Sequence, residues 1–276
     1  MKIAVCGKGG VGKTTLTAAL VWLVAGRGTV VYAIDADPDA NLGLAIGIPE
    51  DDLATIRSLA DLEKVIKSRT GAGGGLFTLN PKVDDILDTL CYHLGRVRFL
   101  RMGNVKRGGT GCYCREYAFL NAVVTSLLLD KTDAVILDMA AGIEHLTRGA
   151  SRGMDALLVV VEPTRAAVDT ARNLAALAAD LAIPRVFFVG NKSTGIADDD
   201  FLRQALDVAP LIGSIRLDPG VLYRSDTASA WRGNTPAGAE DVLRVLLDHL
   251  QWPAGPVTGA CGSPARLTRS RDKAAR

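Results

Sequence analysis

The stretch CGKGGVGKTT, residues 6–15, constrains the fold more than any other part of the chain. It follows a β-branched apolar run, Lys2–Cys6, and opens a segment of helical period, Lys13–Ala25. A strand running through a glycine-rich loop into a helix is the first half of a βαβ unit, so the next strand must lie parallel to the first. Two templates fit the loop. As G-x-G-x-x-G it is Gly7, Gly9 and Gly12, with Asp35 ending the next apolar run where a ribose-binding carboxylate stands in a dinucleotide site. As G-x-x-x-x-G-K-[ST] it is Gly7, Gly12, Lys13 and Thr14, a cradle for nucleotide phosphates.

The rest of the chain continues the alternation. Short apolar runs at Thr29–Ile34, Val97–Met102, Ala134–Asp138, Ala156–Val161 and Val186–Val189 read as strands buried on both faces. Between and after them, Glu116–Leu129, Ala166–Leu181 and Ala239–Leu250 carry helical period. The expected fold class is α/β, a mainly parallel sheet flanked by helices. One ATPase domain is expected over residues 1–252. Residues 253–276 are rich in Pro, Gly and Ser, end in basic residues and hold almost no large apolar side chain, so a disordered basic tail is expected there. The GAGGG run at 71–75 reads as a surface loop, and no internal repeat is present.

Composition narrows the setting. With 276 residues, 48% of them hydrophobic, the chain has enough apolar material for a large core. A net charge of +2 demands neither nucleic acid nor an acidic membrane as partner, and none is expected. The five cysteines are odd in number and unevenly spaced, which does not suit a disulfide framework. With no apolar run long enough for a membrane span and no room for a leader ahead of the first strand, the expected location is the cytoplasm.

Residues beyond the loop decide between the templates. Hydrolysis needs a cation on the terminal phosphates and a hydroxyl for Mg²⁺, and Lys13 and Thr14 supply them. It also needs a carboxylate ending a later strand near the metal. DAVILDMAAG places Asp138 there, with the Gly142 N–H positioned to meet the γ-phosphate. The backbone of Gly9, Gly10, Val11, Gly12, Lys13, Thr14 and Thr15 would wrap the phosphates. Asn191 and Lys192, ending a strand in VFFVGNKST, are candidates for the base. A guanine reader needs a carboxylate two residues further on, where this chain has Thr194, whereas an amide matches the donor and acceptor edge of adenine. ATP is therefore expected over GTP.

The sequence K-G-G-V-G-K-T-T resembles the deviant phosphate loop of a family that includes septum-site and partition ATPases, the arsenite-pump ATPase and the nitrogenase iron protein. The resemblance implies that Lys8 reaches the partner's phosphates in a nucleotide-sandwich homodimer. In IDADPDANLG it also implies that Asp37, before Pro38, orients the attacking water. Such a role is physically sensible, because a fixed carboxylate holds a water oxygen in line with the γ-phosphorus.

In RGGTGCYCREYAFL, Cys112 and Cys114 precede a predicted helix, whose positive end lowers thiol pKa. Two thiolates make half of a tetrahedral S₄ site, and the twofold axis of a dimer would supply the other half, for Ni²⁺ or Zn²⁺. The alternative is that both are small packing residues. The iron–sulfur members of the family carry a cysteine just after the switch II aspartate, where this chain has Ala141. G-C-x-C before a helix, together with DMAAGIEHLTRGA, most closely resembles the carbon monoxide dehydrogenase maturation ATPases of the CooC type. This implies ATP-dependent nickel insertion, with carbon monoxide dehydrogenase as client. One departure is Ala140, where such relatives commonly carry glutamate; Glu144 and His145 come shortly after it. Cys91 and His93 in LCYHLG read as packing residues, because helical spacing puts them on different faces. A partition or positioning ATPase with no metal role is the alternative function, and it leaves the C-x-C pair unexplained.

Overall fold

Eight strands hydrogen-bond into one sheet in the order β3-β4-β2-β5-β1-β6-β7-β8. They are β1 Lys2–Cys6, β2 Val31–Asp35, β3 Tyr92–Leu94, β4 Val97–Arg101, β5 Ala134–Asp138, β6 Ala156–Val161, β7 Val186–Ser193 and β8 Leu211–Arg216. The structure is a computed structural model that describes residues 1–37, 39–71, 82–83, 87–103, 119, 122–127, 133–143, 153–220 and 236–253. Cys112, Cys114, Glu144, His145, loop residues 72–75 and tail residues 254–276 lie outside these.

Every pairing is parallel except β3 with β4, an antiparallel hairpin at one edge. All five residues of β2 and β5 and all six of β6 are buried, which is why these strands read as unbroken apolar runs rather than alternating ones. Helices cover the sheet. Lys13–Ala25 buries Leu16, Thr17, Leu20, Val21 and Val24 and packs beside Ala239–His249. Arg165–Asp180 lies against β6 and β7, its first turn capped by Thr164 Oγ1 accepting from the Ala167 N–H at 3.3 Å.

Parallel strands all end at the same edge, so the loops after β1, β2, β5 and β7 converge there. In register, Asp35 pairs with Asp138 across β2 and β5 and with Arg101 across β2 and β4. The structure corrects the sequence at several points. β7 runs four residues beyond Val189, to Ser193, and carries Asn191 and Lys192 inside the strand. β8 and the helix Ile196–Ala205 are additional elements. Cys91 and His93 lie at and in a hairpin strand, not a helix, and His93 is exposed while Cys91 packs against the core.

Candidate functional site

The loop after β1 is shaped by its neighbours. Gly7 has φ +142°, and a Cβ there would run into the carbonyl of Val160 on β6; Gly12, at φ +97°, lies against the Asn191 amide with the same result. Glycine is required at both places because the loop passes directly over adjacent strands. Asn191, on β7, donates through Nδ2 to the Val11 carbonyl at 2.7 Å, and Lys192 donates to the Gly10 carbonyl while lying 3.7 Å from Glu162. The backbone of Lys192 is left-handed, at φ +59°. Gly9 and Gly10 are exposed at the crest, and Lys8 is half-buried. Lys13 is buried and sends Nζ to within 3.4 Å of the Lys8 carbonyl.

Thr14 and Thr17 occupy the first turns of the helix Lys13–Ala25. The Thr14 hydroxyl donates to Asp138 Oδ2 at 2.7 Å, and that of Thr17 lies 3.0 Å from Oδ1. Asp138 is fully buried at the end of β5. Burial pushes its carboxyl up to about 6, with Thr14, Thr17 and Lys13 opposing a larger rise. Asp35 ends β2 alongside it, also fully buried. Its Oδ2 accepts the Leu42 N–H at 3.0 Å, whereas its Oδ1 is without a hydrogen-bond partner. Burial, then the neighbouring Asp138 charge, push Asp35 up to about 7.

The segment from Ala36 to Asn41 joins these two carboxylates to the next helix. Ala36 donates to the Asp138 carbonyl at 2.9 Å, Ala40 to the Asp37 carbonyl at 3.0 Å, and Asp39 to Asp37 Oδ1 at 3.0 Å. Asp37 is half-buried at the edge of the site. Gly142 is half-buried in the bend four residues after Asp138.

Lys8 to Thr15, Asp37, Asp138, Gly142, Asn191 and Lys192 thus stand at one edge of the sheet, where contacts join Thr14 to Asp138, Asn191 to Val11 and Lys192 to Gly10. Cys112 and Cys114 lie outside the described residues, and among the described residues no group of three His, Cys, Asp or Glu side chains is disposed to hold a metal. The donors at Thr14 fit magnesium, being oxygen atoms, the Thr14 hydroxyl with the buried Asp138 carboxylate behind it; Asp35, in register with Asp138 on the next strand, carries a carboxylate oxygen without a hydrogen-bond partner. Sequence reasoning missed Thr17 and the burial of Asp35. A threonine one helical turn after the lysine gives the only signal for the first; the contact spans 121 residues of chain.

Residues 2–227 match the model of the CobQ/CobB/MinD/ParA nucleotide binding domain. The chain is 37% identical over 262 residues to the carbon monoxide dehydrogenase accessory protein CooC of Rhodospirillum rubrum, covering 94% of this chain and 99% of that protein. It is 40% identical over 196 residues to an uncharacterised ATP-binding protein of Methanocaldococcus jannaschii, covering 70% and 75%. The cell division protein MinD of Aquifex aeolicus superposes with a TM-score of 0.62 at 18% identity, over 91% of this chain and 98% of that one, a likeness of fold. Among the described residues no helix is long and apolar enough to cross a membrane. With the phosphate loop, the buried aspartate behind it and the family match in agreement, this chain belongs to the CobQ/CobB/MinD/ParA nucleotide-binding family and is an ATPase of the CooC type.

Proposed function

We propose that this ATPase is a cytoplasmic homodimer that holds Ni²⁺, or Zn²⁺ in its place, on Cys112 and Cys114 and couples ATP binding and hydrolysis to nickel insertion into carbon monoxide dehydrogenase. The observation that carries the proposal is the match to CooC of Rhodospirillum rubrum along nearly the whole of both chains. The fold likeness to MinD, at 18% identity, carries no function of its own.

In this proposal the Gly9–Thr15 backbone and Lys13 bind the phosphates, and Lys8 crosses to the partner's nucleotide. Thr14 Oγ1 and Asp138 hold Mg²⁺, which when bound neutralises phosphate charge. Asp37 orients the attacking water and the Gly142 N–H meets the γ-phosphate. Asn191 and Lys192 favour adenine, once the Asn191 amide is free of Val11. Each subunit supplies two thiolates, so one metal per dimer satisfies a four-thiolate site. A ligand that binds only the paired state also drives pairing by mass action.

Sedimentation with Ni²⁺ or Zn²⁺, with and without ATP, tests the assembly. Metal should promote a dimer holding one ion, Cys112→Ala or Cys114→Ala should remove the metal effect, and Lys8→Ala should weaken the nucleotide effect. A tightly bound ion in a strict monomer, or one retained when both cysteines are replaced, would return Cys112 and Cys114 to packing roles. Loss of carbon monoxide dehydrogenase activation in cells lacking the protein, restored by excess nickel, is the expected result for the client.

A further inference from the structure

Thr17 has one hydroxyl proton and two acceptors. The Lys13 carbonyl, one turn earlier on the same helix, lies 2.9 Å from its Oγ1, and Asp138 Oδ1 lies at 3.0 Å. The first contact is what threonine ordinarily makes inside a helix. The second is not, because it joins the helix to a carboxylate on β5. Thr17 and Asp138 are both fully buried, so this bond is made away from solvent.

The geometry makes an orientational chain. A hydroxyl that donates its proton to a carboxylate turns its lone pairs the other way. Thr14 donates to Oδ2 of Asp138 at the end of β5, so its lone pairs face away from that carboxylate. That direction is fixed only while the carboxylate itself cannot rotate, and with its proton turned to Oδ1 rather than to the Lys13 carbonyl, Thr17 holds the opposite oxygen against rotation. A hydrophobic residue at this position would leave Oδ1 without a hydroxyl donor in the interior, and the carboxylate would be held on one side only.

We infer that Thr17 is a positioning residue for magnesium: its hydroxyl fixes the Asp138 carboxylate, which in turn orients the Thr14 hydroxyl as a metal ligand. Thr17 touches neither nucleotide nor metal. The inference rests on the proposed role of Thr14 and Asp138 at Mg²⁺. Groups that sit behind a metal ligand and orient it typically change metal affinity by about 10–100-fold when removed.

The test uses the full chain and measures ADP affinity in EDTA and across a Mg²⁺ titration, so that no turnover is needed. Thr17→Val, which keeps the shape and removes the hydroxyl, should bind ADP in EDTA within about twofold of the unaltered protein. The Mg²⁺ concentration for half of the metal-dependent change should rise about 10–100-fold. Thr17→Ala should do the same, and Thr17→Ser, which restores the hydroxyl, should return the midpoint to within about threefold. Mn²⁺ in place of Mg²⁺, detected by its paramagnetic resonance, gives the same comparison spectroscopically. Thr14→Ala is the control for the underlying role. If Thr14→Ala shifts the midpoint and Thr17→Val does not, Thr17 has no positioning role. A Thr17→Ser variant as impaired as Thr17→Val would show that the methyl group matters rather than the hydroxyl, which also overturns the inference. An unchanged midpoint in Thr14→Ala would overturn both the inference and the assignment of Thr14.

Discussion

Two sets of buried aspartates lie at the same edge of the sheet and are treated in opposite ways. Beyond β7 and β8, Asp199 accepts from Ser193 at 2.7 Å and meets Arg216 twice, at 2.7 and 3.2 Å. Burial alone would raise its carboxyl, but the bonds from Ser193, Arg216 and Ser214 outweigh that and hold it below the ordinary range. Across the sheet, Asp35 and Asp138 end neighbouring strands in register, with two hydroxyls and the Leu42 N–H bonded to them and one oxygen left over, while the Asp37 backbone and the Arg101 and Lys13 charges offset only part of their burial. Both are pushed up, to about 7 and about 6. A carboxylate that is fully paired serves the fold. A pair of carboxylates left short of positive charge holds a charge that, in the function proposed above, Mg²⁺ arriving with the nucleotide would offset.

The largest effect expected from this contrast is at Lys13, whose ammonium is the buried positive charge acting on Asp138. Lys13→Ala should lower Mg²⁺-dependent ATP hydrolysis by about a thousandfold or more, because the charge that stabilises the transferring phosphoryl group is lost. Arg216→Gln, on the paired side, should leave the rate within a fewfold. Comparable losses in both variants would show that the two clusters are not divided between chemistry and fold. Turnover should also favour ATP over GTP, and equal rates would remove Asn191 and Lys192 from base recognition.

Next in size is Asp37. Asp37→Ala should hydrolyse ATP about a hundredfold more slowly while binding it nearly as well, the pattern of a lost positioning group. Single-turnover rates and equilibrium binding separate the two. Affinity falling in step with rate would place Asp37 with the groups that hold metal or structure.

The two clusters were unequally legible in the sequence. β1, β5 and β6 and the helix Lys13–Ala25 match the expected bounds residue for residue, because strands buried on both faces leave unbroken apolar runs and the glycine loop fixes where the helix begins. Lys13 and Thr14 were readable from the glycine-loop motif, and Asp138 from the apolar strand that it ends in DAVILDMAAG. Asp199 and its partners were not. Ile196–Ala205 carries three consecutive aspartates near its start, which hide its apolar face, and β8 is half-buried and broken by Gly213 and Ser214, so neither element announces itself. β3 is three residues long, too short to show a period. The meeting of Thr17 with Asp138 depends on β1 and β5 being neighbours, a matter of strand order that no local spacing encodes.

A third prediction concerns stability, and its sign comes from the raised carboxyls. A group whose folded pKa lies above its unfolded value binds its proton more tightly when folded, so stability falls as pH rises through that interval. For Asp35 the interval runs from the ordinary 3.8 to about 7, an upper limit of roughly 4 kcal/mol. Part of the effect belongs to repulsion from Asp138, which itself yields when either group protonates, leaving about 2 kcal/mol for Asp35. Asp35→Asn keeps an oxygen for the Leu42 N–H and removes the charge. In EDTA at pH 8 it should be about 2 kcal/mol more stable than the unaltered protein by urea unfolding, with the gain gone by pH 4. No gain at pH 8 would mean that the buried charge is compensated.

The smallest effect has the opposite sign. Asp199 has a lowered carboxyl, so it contributes stability that is present above the ordinary value of 3.8 and lost as pH falls through its folded value. Asp199→Asn retains one acceptor for Ser193 or Arg216 but gives up the charge. The Arg216 side chain is 49% exposed, so water screens much of the pairing and the loss at pH 7 should be only about 1 kcal/mol. The cost should shrink in acid, where the unaltered carboxyl takes up its proton. Added salt should reduce it at neutral pH, because part of the pair faces solvent. Measured side by side, one aspartate-to-asparagine change should stabilise the protein at high pH and the other should destabilise it there, although both carboxylates are buried at one edge of one sheet. The same sign at both positions would mean that burial alone sets their energetics, and the division between a paired and a waiting cluster would fall. Opposite signs, with the Asp35→Asn gain abolished by saturating Mg²⁺ and nucleotide while the Asp199→Asn loss is unmoved, would locate the uncompensated charge where the cation binds.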